Sequence, residues 1–151
     1  MTDKDGTNVT HDSDDAQFEF AIQLMIKHPS MDPARISTKL GLRPNHSWKA
    51  GEPRAAPNGQ RLPGVNPTSY WVSSERTTGK RLFFENVLEL VRRLEPSSEL
   101  IAEIVSSGGF VLITVQLPGK NNIGAVLDWQ GLARIAALKI ELGIEVFPGW
   151  N

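Results

Sequence analysis

The stretch that most narrows what this chain can fold into is residues 31–51, MDPARISTKLGLRPNHSWKAG. It spells a short helix with both ends marked. Asp32 can accept a hydrogen bond from an orphan amide of the first turn, and Pro33 at the first helical position loses nothing by lacking its N–H. Ile36 and Leu40 are four apart and so share a face. Gly41 suits the left-handed residue that closes a helix, with Leu42 placed to fold back onto the last turn. Pro44 forbids continuation and pushes Arg43 toward an extended conformation. The spacing predicts a helix of about two turns over residues 33–40, then a rigid exit and a tryptophan, Trp48, set in a basic loop.

On either side, the text alternates strands and helices. In residues 17–26, Phe18, Phe20, Ile22, Leu24 and Ile26 alternate with Glu19, Ala21, Gln23 and Met25, the period of a strand with one apolar face. Residues 43–67 turn irregular, with Pro44, Pro53, Pro57, Pro63 and Pro67 among Gly51, Gly59 and Gly64. They allow a short edge strand at 47–49, and a connection this long is commonly functional or mobile. A second strand, SYWVSS, covers 69–74. Residues 80–94 form an amphipathic helix with Phe83, Phe84, Val87, Val91 and Leu94 inward, and Arg92 and Arg93 suit its negative end. Pro96 breaks it, and a second helix over 98–105 carries Leu100, Ile101, Ile104 and Val105 up to Gly108–Gly109.

Residues 110–117, FVLITVQL, read as a central strand buried on both faces. Pro118–Gly119 turns the chain toward a strand at 123–127, the expected hairpin partner. Asp128 then caps a helix with Leu132, Ile135, Ala136, Leu138 and Leu142 inward and Gly143 as its stop. A last strand follows at 144–147. Ala34-Arg35-Ile36…Leu40-Gly41-Leu42 is echoed by Ala133-Arg134-Ile135…Leu142-Gly143-Ile144 with three extra residues, close to one helical turn. The expected architecture is therefore α+β. It has a mainly antiparallel sheet of about five or six strands, helices packed on one face, and two strand–helix halves that a duplication would relate.

Composition bounds the function. At 151 residues, 40% hydrophobic and 22% charged, the chain suits one globular domain, expected over residues 17–151 behind a disordered acidic tail, 1–16. Without cysteines there are no disulfides, thiolate metal sites or cysteine nucleophiles. No run reaches the roughly 20 apolar residues of a membrane helix, and residues 1–16 lack the apolar core of a secretory signal. A cytoplasmic protein without membrane contact is the expectation. The net charge of −1 divides unevenly: residues 1–16 carry −4, while residues 27–81 hold ten Lys and Arg against three acids, a net of +7.

The set D-P-x-x-I-x-x-x-L-G-L-x-P, W-K-x-G, Y-W-V, the helix broken at L-E-P and the closing L-G-I-E-V-F resembles domain of unknown function family 4279. The likeness spans residues 18–147 and is most specific at Leu40-Gly41-Leu42-x-Pro44, at Trp48 with Gly51, and at Trp71. It implies a compact α+β domain of bacteria. It implies no activity, cofactor or catalytic residue.

The residues themselves argue against several chemistries. Metal sites need convergent ligands, and His11, His28 and His46 fall at neither helical nor strand spacing, so no metal and no cofactor is expected. Ser47 beside His46 is no nucleophile–base pair, because neighbours on extended backbone point to opposite sides. There is no G-x-S-x-G, and the loop from Gly59 to Gly64 lacks the Lys-Ser/Thr of a phosphate loop. An acid–base pair would have to come from folding, for example Glu52 with Asp128 or Glu75, and an enzyme is the less favoured class.

The best pointer is a basic patch with aromatics: Arg43, Lys49, Arg54 and Arg61 interleaved with Trp48 and preceding Tyr70 and Trp71. Such a patch suits an unknown protein partner, as in an adaptor or immunity-type domain. The alternative is a phosphate-bearing or nucleic-acid ligand. The plain reading of Trp48 and Trp71 is core aromatics with solvated arginines around them. Trp150, after Pro148-Gly149, is a further aromatic that suits an interface.

Overall fold

A computed structural model describes residues 19–78, 82–120 and 122–149. The acidic N-terminal segment, Gln17, Phe18, Lys80, Arg81 and Trp150, all used in the sequence reading, lie outside these residues. In chain order the elements are β1 (Glu19–His28), α1 (Pro33–Leu40), β2 (His46–Trp48), β3 (Pro53–Ala55), β4 (Arg61–Val65) and β5 (Ser69–Thr78). They continue with α2 (Phe83–Leu94), a 3-10 turn (Glu95–Ser97), α3 (Ser98–Ser106), β6 (Phe110–Pro118), α4 (Trp129–Ala137) and β7 (Glu141–Phe147). Among the described residues no helix is long and apolar enough to cross a membrane.

The fold is α+β, built on β1. Phe20, Ile22, Leu24 and Ile26 are buried on one face of it, while Gln23, Met25 and Lys27 on the other are half-buried or exposed, the pleat that the alternation requires. β5 and β6 flank β1 antiparallel. With β2 and β7 outside them the order is β2-β5-β1-β6-β7, and β3 and β4 form a separate two-stranded sheet.

All four helices deliver side chains to one face of the large sheet. Ile36, Val87, Val91, Leu94, Ile101, Ile104, Ile135 and Leu138 meet the apolar rows of β1 and β6 there. The punctuation of α1 is as its sequence requires: Asp32 Oδ1 accepts from the Ala34 N–H at 2.9 Å, and Gly41 sits at φ 65° with its N–H donating to Ser37 O at 2.9 Å.

Several expectations are corrected. Residues 123–127 form no strand; Ile123, Ala125 and Leu127 turn toward the core and Val126 outward, without a ladder. The outer neighbour of β6 is instead β7, parallel to it. The segment after Pro118 is long enough for a helical crossover, and the Gly119 N–H donates to Phe147 O at 2.9 Å, closing the turn onto the end of β7. Consequently the sheet is mostly but not wholly antiparallel.

In α4, Leu132 and Ala136 are exposed, and Gly131, Ile135 and Leu138 face inward. Gly131 sets this phase: a Cβ there would lie 2.6 Å from Leu127 Cδ1 and 3.2 Å from Leu88 Cδ2, so the helix approaches α2 through its smallest residue. The helix also stops at Ala137, before left-handed Lys139 at φ 56°, whereas Gly143 lies within β7 opposite Thr114. The echoed glycines thus do different things, one capping a helix and one sitting in a strand. Finally, among the described residues β6 is covered by helices on one face only. Val111, Ile113, Val115 and Leu117 are buried there; on the other face Thr114 at the strand's centre is buried too, while Phe110, Leu112 and Gln116 remain half-exposed.

The proline-rich connection is an ordered arm rather than an irregular loop. At its tip the Gly59 φ of 85° closes a Pro57-Asn58-Gly59-Gln60 turn, with Ala56 N–H donating to Gln60 O at 2.7 Å and Gln60 N–H to Asn58 Oδ1 at 3.0 Å. At its base the Gly51 N–H donates to Asn66 O and the Asn66 N–H to Glu52 O, both at 2.8 Å. Asn-Gly between strand-forming segments is a recognised hairpin signal, here masked by the surrounding prolines.

Candidate functional site

The basic, aromatic residues singled out above divide between two faces of the sheet and the arm. Ser47 pairs with Trp71 and Trp48 with Tyr70 in the β2–β5 ladder, so Trp48 and Tyr70 share one face and Trp71 points to the other. Trp71 is fully buried on the helix face, opposite Ile26, and its indole Nε1–H donates to Ser37 Oγ at 3.0 Å. It holds α1 against the sheet. Trp48 is 42% exposed and stacks on Tyr70 with ring centroids 4.3 Å apart at 18°. Burial under this stack pushes the Tyr70 phenol above its ordinary pKa.

Lys49 is committed: its ammonium lies 3.3 Å from Asp32 Oδ2, on the carboxylate that caps α1. The Ala34 N–H and, after it, Lys49 hold the Asp32 carboxyl below its usual range. Arg43, Arg54 and Arg61 are exposed, and none has an ion-pair partner among the described residues. Arg54 and Arg61 stand on the two strands of the arm, one on β3 and one on β4. The site is thus an aromatic stack at the β2 edge, with a cationic arm rising from the residues just beyond it.

The acid–base pairings considered above are not brought together. Glu52 is at the arm's base, Glu75 on β5 and Asp128 at the cap of α4, where its Oδ1 accepts from the Gly131 N–H at 2.7 Å. His28 is tied into the fold by three hydrogen bonds, and His46 is exposed on β2. Among the described residues no group of three or more His, Asp or Glu is placed to hold a metal ion.

Sequence reasoning missed a second cluster. A cavity of about 270 Å³ opens between α2 and β5, lined by Ser73, Glu75 and Thr77 from the strand and Asn86, Glu89 and Arg93 from the helix, over a floor that includes Ile22 and Leu24. A signal for it exists in the text. Continuing the alternation of the second strand past Ser74 puts Ser73, Glu75 and Thr77 on the same face as Trp71, where a core-facing row should be apolar. Polar residues that break a binary pattern are a mark of function or strain.

The searches of curated proteins and of solved structures returned no match. A family model does match, that of a domain of unknown function, DUF4279, over residues 17–147. It spans every element described above, from β1 through β7, and the chain belongs to that family.

Proposed function

We propose that this protein is a non-catalytic binding domain of the cytoplasm, of adaptor or immunity type, that meets a protein partner through the arm and the Trp48–Tyr70 stack. The observation that carries this reading is the arm itself. β3 and β4 are exposed along almost their whole length, so the arm adds little to the core while ordering its residues costs on the order of 1–2 kcal/mol each. A hairpin stitched at its base and turned to solvent extends the surface. It sets Arg54 and Arg61 beyond a half-exposed indole, and Trp and Arg are the side chains that most often dominate protein interfaces. The partner surface that fits is acidic, with a recess for an aromatic ring.

A second reading, a phosphate or nucleic-acid ligand, draws on the same three uncommitted cations, Arg43, Arg54 and Arg61, beside a stacking surface. Two measurements separate the readings. Capture from the native host is compared for the wild-type chain and for a Trp48→Ala, Arg54→Glu, Arg61→Glu variant, and the expected result is a specific protein lost with the variant. Titration of RNA and DNA at low salt is expected to show no binding. Equal capture by both chains contradicts the proposal, and nucleic-acid affinity that falls steeply with salt moves the function to the second reading.

A further inference from the structure

We propose that the cavity between α2 and the outer half of β5 binds a small zwitterion of the amino-acid class, its ammonium at Glu75 and its carboxylate at Arg93. The cavity lies on the helix face, away from the arm and the Trp48–Tyr70 stack, so this site is independent of the partner surface proposed above.

Several of the polar groups around the cavity are uncommitted among the described residues. Among the described residues neither the Glu75 carboxylate nor the Arg93 guanidinium has an ion-pair partner, although both line the same space, and the Ser73 and Thr77 hydroxyls have no hydrogen bond there. Glu89 is satisfied by Arg92, which donates to it through Nε and Nη2. Asn86 also lines the cavity, and its amide nitrogen is shut off from solvent with no acceptor. A buried donor left unpaired costs about 1–3 kcal/mol.

Charge selects the class of ligand. An anion alone would face Glu75 and Glu89, and a cation alone would face Arg93. A molecule carrying both charges answers both sides, with its carboxylate open to Asn86 as well. Size restricts it further: about 270 Å³ falls just below the roughly 300–1,000 Å³ of drug-sized pockets, which suits a ligand as small as an amino acid. The floor of Ile22, Leu24, Leu42 and Leu90 rewards an apolar side chain, as in leucine.

The test is calorimetric titration of the full chain with a panel of free L-amino acids, and with N-acetyl-L-leucine and L-leucinamide, which lack one charge each. Leucine is expected to bind in the millimolar range or tighter, and each blocked analogue at least about tenfold more weakly. Glu75→Gln and Arg93→Gln, both at exposed positions, are expected to weaken leucine by a similar factor while leaving the circular dichroism unchanged. Asn86→Leu removes the unpaired donor, so it should raise the melting temperature of the free chain and abolish binding. No heat from any amino acid at about 10 mM, or binding that survives both Glu75→Gln and Arg93→Gln, overturns the proposal.

Discussion

His28 accepts backbone N–H bonds through Nδ1 from Ser30 at 2.9 Å and Met31 at 2.7 Å, so its proton sits on Nε2, 2.8 Å from Ser107 Oγ. Burial pushes its pKa below the ordinary 6.5, against a smaller upward pull from Glu103. With the folded value depressed, the unfolded chain takes up the proton first as pH falls. The contribution is therefore complete above about pH 6.5 and is lost as pH drops from there toward the folded value. His28→Asn places an oxygen where Nδ1 was and cannot titrate. The melting temperature of the variant should fall less than that of the wild type between about pH 7 and 5, and an unchanged slope would assign the dependence to other groups. The two tryptophans of the β2–β5 ladder make a sharper contrast. Trp71→Ala, at a fully buried position, should cost about 3–5 kcal/mol in urea unfolding. Trp48→Ala, on the exposed face, should cost under about 1 kcal/mol.

At the scale of elements, the arm should behave as an appendage. Replacing residues 53–65 with a short Gly-Ser turn is expected to leave the urea midpoint within about 0.5 kcal/mol of the wild type in stability. In the intact chain the arm's amides should exchange with deuterium far faster than those of β1 or β6, and a large drop in stability on its removal would mean that it is part of the core. What could be read from the sequence at this scale follows the range of the determining contacts. α1 was legible to the residue because Asp32, Pro33, Gly41 and Pro44 act within one turn of its ends. The parallel pairing of β7 with β6 was not, since a ladder between residues about thirty apart is decided by the crossover and by the bond from Gly119 to Phe147. The phase of α4 differs from its hydrophobic pattern for a related reason: hydrophobicity favours Leu132 inward, but the close approach of Leu127 and Leu88 favours Gly131 there. The arm escaped because five prolines read as irregularity, although Asn58-Gly59 carried its turn.

Across the whole molecule, the helices and the arm divide the labour. Every helix packs on one face of the large sheet, and that face holds the core. The opposite face carries Lys27, Met25, Tyr70, Arg76 and Leu112, and at its β2 edge the Trp48–Tyr70 stack leads into the arm. The fold and the proposed contact surface therefore lie on different parts of the molecule, which explains why the surroundings of the basic residues were only half legible. Composition singles out Arg43, Trp48, Arg54 and Arg61 as candidates, while the strand register that turns Trp71 into the core and the folding that pairs Lys49 with Asp32 are properties of the assembled molecule. The central claim is that a partner protein docks on the arm and its aromatic neighbour. The most direct measurement is photo-cross-linking in the native host from a benzoyl-phenylalanine placed at Arg54, and in a separate chain at Glu141 on the far edge of the sheet. A single protein cross-linked from position 54 and absent from position 141 is the predicted result. The same product from both positions, or a product from position 141 alone, would contradict it.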